Sequence, residues 1–160
     1  MTGPTRAKLA VVGIGNTLAG DDGVGVVAIR QLEVEWSGHR DVILCTLEGD
    51  LLAVSELLPQ AERFLFLDSV SGEQPGGLVM GVKAGRAYAP SFHQTDIATV
   101  MQQMESLGMA DPFPAWEIWG VIIRPPAEVK EGLSPAVAAG VEELVRRVSL
   151  YIARKMGAGD

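Results

Sequence analysis

Cysteine is nearly absent: Cys45 is the only one in 160 residues. A single thiol forms no internal disulfide, and a metal site built from several thiolates is excluded. Cys45 stands inside a predicted strand, where a cysteine acts as a small hydrophobe more often than as a nucleophile. Cations are also scarce. The 13 Lys and Arg against 20 Asp and Glu leave a formal net charge of −7, which argues against a nucleic-acid partner, because phosphate binding needs clustered Lys and Arg. No apolar run approaches the roughly 20 residues that span a bilayer. The opening MTGPTRAKLAVVGIGN has too short an apolar run for a signal peptide. A cytoplasmic monomer with no membrane partner is the expectation. Two familiar signatures are missing as well: the G-x-S-x-G nucleophile elbow and the H-E-x-x-H zinc spacing.

What is present is an ordinary globular composition, 48% hydrophobic and 21% charged, with enough chain for one domain spanning 1–160. Ala7–Ile14 is an apolar, β-branched run closed by glycines, which reads as a strand buried on both faces. Apolar residues recur at helical spacing from Gly23 to Glu35. Asp41–Leu47 reads as a second strand, Leu51–Leu58 as a short helix, and Arg63–Asp68 as a third strand stopping on an acid. Leu78–Val82 follows a turn cluster as a further strand, and a helix runs from Thr95 to about Leu107. Trp116–Ile123 is the last strand. Ser134-Pro135 then fits a cap and first-turn pair, opening a helix striped by Val137, Val141, Leu144, Val145, Val148 and Ile152. Alternating strands and helices of this kind predict an α/β/α sandwich around a mainly parallel sheet, with one antiparallel or edge element.

In open sheets, functional groups gather at the carboxyl ends of the strands. After the first strand comes Gly13-Ile14-Gly15-Asn16, then Gly20-Asp21-Asp22-Gly23. A dinucleotide fingerprint needs a third glycine where Leu18 stands, and the lysine of a phosphate loop is missing. Two carboxylates at the loop's end also repel a pyrophosphate. Either aspartate fits a cap for the helix beginning near Gly23, and one suffices, which leaves the second free to act as a metal ligand. Asp68 ends an apolar run, as a turn residue or as a functional acid. Of the two histidines, His39 sits in the polar turn SGHRD, whereas His93 precedes a helix, as a capping group or as a ligand. Two carboxylates and one imidazole suit a borderline divalent cation such as nickel or zinc, with positions left open for substrate.

At GIGNTLAGDDGVG (Gly13–Gly25), FLFLDSV (Phe64–Val70), SFHQ (Ser91–Gln94) and GLSP (Gly132–Pro135), the chain resembles the nickel–iron hydrogenase maturation proteases. These are endopeptidases that trim the carboxyl terminus of the hydrogenase large subunit. The resemblance implies a three-layer, phosphorylase/hydrolase-like α/β sandwich. It also implies that Asp22, Asp68 and His93 are the catalytic and metal-contacting residues, with Asp21 left as the cap. The nickel they contact is carried by the large-subunit precursor, although the isolated protein is also suited to hold another divalent cation. Gly13, Gly15 and Asn16 shape the loop that approaches the substrate. Where the family commonly carries Asp-Gly-Gly-Thr after the second strand, this chain has Glu48-Gly49-Asp50, a region that shapes partner choice. After the last strand it reads GVIIRPP, and Arg124 there is an exposed structural residue or a partner contact. Two alternatives remain open: a nucleotide-dependent α/β enzyme, and a metal-sensing maturation chaperone that does not cut.

Overall fold

The computed structural model describes residues 5–82, 96–124 and 132–157. The elements in order are β1 (Leu9–Ile14), α1 (Val24–Trp36), β2 (Val42–Leu47), β3 (Arg63–Ser71), β4 (Leu78–Val82), α2 (Ile97–Ser106), β5 (Ala115–Ile123) and α3 (Pro135–Gly157). Short 3-10 turns cover Gly20–Gly23, Leu51–Glu56 and Leu58–Gln60.

The strands form one sheet in the order β2-β1-β3-β5-β4. The first four run parallel and β4 runs antiparallel along β5. The antiparallel edge falls at the strand expected after the PGG turn. Strand residues alternate between the two faces. Leu9, Val11, Leu65 and Leu67 pack against α1 and α3, while Ala10, Val12, Phe64 and Phe66 pack against α2 and the 3-10 segment around Leu51 and Val54. The result is a three-layer α/β/α sandwich around a mainly parallel, partly mixed sheet. Among the described residues, no helix is long and apolar enough to cross a membrane.

The last helix carries the stripe expected of it. Val137, Val141, Leu144, Val148 and Ile152 are fully buried, and Val145 is partly so. Pro135 opens it where a missing N–H costs nothing, and the carbonyl of Ser134 accepts the first helical bond, from Ala138 N at 2.8 Å. The helix expected from Thr95 begins at Ile97, capped by Asp96, which accepts from Thr99 N at 2.8 Å. The helix expected over Leu51–Leu58 is instead two 3-10 turns. Pro59 lacks the amide that would extend a helix through this point.

The largest departure concerns β3. It does not stop at Asp68 but runs on to Ser71, because β5 continues beside it, with Asp68 opposite Gly120 and Ser71 opposite Ile123. β1 ends earlier, so its pairing with β3 stops at Gly13 and Leu67. Among the described residues, β3 from Asp68 onward pairs with β5 alone.

Cys45 lies half-buried in β2, and burial pushes its thiol from an ordinary 9.0 up to about 11. At pH 8 the folded protein is therefore expected to react with iodoacetamide at least about tenfold more slowly than the urea-unfolded chain, since only the thiolate attacks. Equal labelling rates, followed by mass spectrometry, would contradict this.

Candidate active site

The strand order places a switch point between β1 and β3: the chain leaves β1 for β2 on one side, and the strands from β3 onward, β5 and β4, lie on the other. In doubly wound sheets, ligands bind outside the carboxyl ends of the strands at such a point. Two buried acids are linked there through one serine.

Asp22 reaches this point on the loop after β1. The N-terminus of α1 can approach the sheet closely because glycines line the contact. A Cβ on Gly13 would collide with the carbonyl of Gly25, and one on Gly25 would collide with the carbonyls of both Ile14 and Leu67. Gly15 has φ of +152°, and a Cβ there would strike the carbonyl of Asp22. The loop then closes on itself. Gly15 N donates to Leu47 O at 3.3 Å, Asn16 N to Asp22 O at 3.1 Å, Ala19 N to Asn16 O at 3.1 Å and Asp22 N to Ala19 O at 3.2 Å. Leu18 N donates to Asn16 Oδ1 at 2.9 Å. These five amides are occupied within the protein, so they do not form the open nest that a phosphate needs. Together with the charge of the two aspartates, this argues against the nucleotide alternative.

The two aspartates divide their work in a way the sequence did not indicate. Neither occupies the cap position of α1, which falls on Gly23 and has no side-chain cap bond. Asp21 instead serves the start of α3: its Oδ1 accepts from Ser134 N at 2.6 Å and its Oδ2 from Ser134 Oγ at 2.9 Å. This clasp joins the loop to a segment 113 residues away. Asp21→Ala is expected to lower stability by about 2 kcal/mol and Ser134→Ala by about 1 kcal/mol, as one or both bonds are lost. Urea denaturation checks this, and an unchanged midpoint in Asp21→Ala would contradict it.

Asp22 is 5% exposed, Asp68 1% and Ser69 0%. Ser69 joins the two acids. Its Oγ donates to Asp22 Oδ1 at 3.0 Å, and its backbone N–H donates to Asp68 Oδ1 at 2.8 Å. Beside Asp68, at the same register on β5, stands Gly120, where a Cβ would press on Val70 Cγ2 at 2.6 Å and on Asp68 O at 2.9 Å.

The third candidate, His93, lies outside the described residues. Among the described residues, no three His, Cys, Asp or Glu side chains are grouped to hold a metal ion. Gly49 has φ of +131° with open space around it, and Asp50 Oδ1 accepts from Leu52 N at 3.0 Å, capping the 3-10 turn after β2. Two loops at this end therefore share one device, in which Asn16 and Asp50 each bind the amide of an exposed leucine two residues on. Arg124 is exposed and donates from Nη2 to Glu73 O at 3.3 Å, on the neighbouring turn.

No protein-family model matches the chain, and no curated protein matches it significantly. Solved structures do. The fold is that of the nickel–iron hydrogenase maturation proteases. The [NiFe] hydrogenase maturation protease HybD from Thermococcus kodakarensis superposes with a TM-score of 0.72 at 20% identity, over 90% of this chain and 98% of that one. The hydrogenase maturating endopeptidase HybD from E. coli gives 0.70 at 22% identity, over 95% and 94%. A hydrogenase 2 maturation peptidase from Thaumarchaeota archaeon SCGC_AB-539-E09 gives 0.64 at 25% identity, over 91% and 98%.

Proposed function

We propose that this protein is an endopeptidase that removes a C-terminal extension from a nickel–iron hydrogenase large-subunit precursor once nickel has been inserted. The observation that carries this reading is the linking of Asp22 and Asp68, two buried carboxylates, through Ser69 at the β1–β3 switch point. Burying two acids together is costly, and such arrangements concentrate at functional sites. The fold shared with proteins named as maturation proteases adds the reaction class.

In this reading the nickel belongs to the substrate. Asp22 and Asp68, with His93, contact it and hold the precursor so that the scissile bond sits against the site. A cation so placed polarises a carbonyl or activates a water. The chain's own contribution is to orient and to exclude water. Ser69 holds one oxygen of each acid, and the closed loop from Gly15 to Asp22 fixes the backbone behind Asp22. Glu48, Gly49 and Asp50 shape the rim at the end of β2 and bear on which precursor is accepted.

The test compares nickel-loaded with nickel-free precursor by intact mass. The expected result is loss of one C-terminal peptide from the loaded form alone. Equal cutting of both forms would remove nickel from the account. Stable complex formation with no change of mass would replace the protease with a non-cutting chaperone.

A further inference from the structure

Alternation along β3 sets Asp68 and Ser69 on opposite faces of the sheet. Phe66 and Val70, which share a face with Asp68, belong to the core beneath α2, while Leu67, which shares a face with Ser69, belongs to the core beneath α1 and α3. Asp22 arrives on the 3-10 turn that leads into α1, and thus from the layer that Ser69 faces. The two carboxylates therefore approach from opposite sides of the sheet, just where β1 has ended and β3 has lost that neighbour. Ser69 is the point where they join. Its hydroxyl reaches Asp22 on one face, and its amide holds Asp68 on the other.

We propose that Ser69 is a positioning residue whose hydroxyl sets the carboxylate of Asp22 against that of Asp68. The claim deepens the endopeptidase reading and rests on it. At 0% exposure Ser69 touches no substrate, so it acts only through the two acids. Its amide is backbone and survives any substitution except proline, so removing the side chain takes one hydrogen bond from Asp22 and leaves the one to Asp68 in place. A donor on one oxygen of a carboxylate restricts the rotation of that group, and oriented ligands matter: outer-shell partners of metal ligands are typically worth about 10–100-fold in activity.

The experiment follows cleavage of nickel-loaded precursor by the wild type, Ser69→Ala and Ser69→Thr. Ser69→Ala is expected to lower kcat by about tenfold or more with KM within about twofold of the wild type, the pattern of lost orientation rather than lost binding. Ser69→Thr keeps the hydroxyl and is expected to restore most of the rate. A second readout does not depend on cleavage. In protein carrying 13C-labelled aspartate, the Asp22 carboxyl resonance is expected to move in Ser69→Ala and to stay in place in Ser69→Thr. Full activity in Ser69→Ala, or an unmoved Asp22 resonance, would overturn the proposal. If the wild type leaves the precursor uncut, the endopeptidase reading fails, and the resonance alone then decides the role of Ser69.

Discussion

Asp68→Asn is expected to reduce cleavage of nickel-loaded precursor by about 100-fold or more while leaving the protein as stable as the wild type or more so. Losing even an outer-shell partner of a metal ligand costs about 10–100-fold, so losing a direct contact takes the upper end as its floor. The stability half follows from burial. Asp68 and Asp22 are 1% and 5% exposed and share Ser69 as a hydrogen-bond donor. Asparagine keeps the shape and an oxygen to accept from the Ser69 amide. An acid kept for chemistry rather than for folding is replaced by its amide with stability unchanged or raised by up to about 1 kcal/mol, the opposite sign from a structural residue. Steady-state cleavage and thermal unfolding of one preparation check both halves. Retained activity would remove Asp68 from the site, and a large fall in stability would make it a structural acid.

Gly25→Ala is expected to act the other way, through the fold. Its Cβ would enter the backbone of two strands at once, against the carbonyls of Ile14 and Leu67. No flexible side chain is there to give way, so α1 must lift from the sheet. Overpacking of a dense core costs about 1–3 kcal/mol and more where backbone must move, so about 3 kcal/mol is the expected loss. For a chain of this size that lowers Tm by about 6–12 °C. Because α1 follows directly on the turn that carries Asp22, activity should fall even below the melting range. A Tm within about 2 °C of the wild type would show that α1 can shift without cost.

Much of the fold was legible because its strands are short apolar runs bounded by glycines and its last helix carries an unbroken stripe. β4 and the α3 stripe fall where the pattern places them, and β1 and α1 differ only at their ends. The end of β3 was less legible. SVS after Asp68 reads as a polar loop, but Ser69 and Val70 are buried, because β5 extends past the end of β1 and keeps pairing. Strand length was set there by a partner that local sequence does not reveal. The same holds for the acids. The adjacent aspartates announced a special loop, but not that Asp21 would reach Ser134 across the fold. Nor did any motif single out Ser69. Its one signal was the two-residue period of β3, which places a hydroxyl on the face from which Asp22 arrives, and that becomes visible only once the strand is known to continue.

The account stands or falls on whether Asp22 works as part of a peptide-cleaving site. The direct measurement is the intact mass of nickel-loaded large-subunit precursor after incubation with the wild type or with Asp22→Asn. The account predicts a single C-terminal peptide lost with the wild type and an unchanged mass, over the same interval, with folded Asp22→Asn. A precursor left whole by the wild type, or cut equally by both, would contradict it.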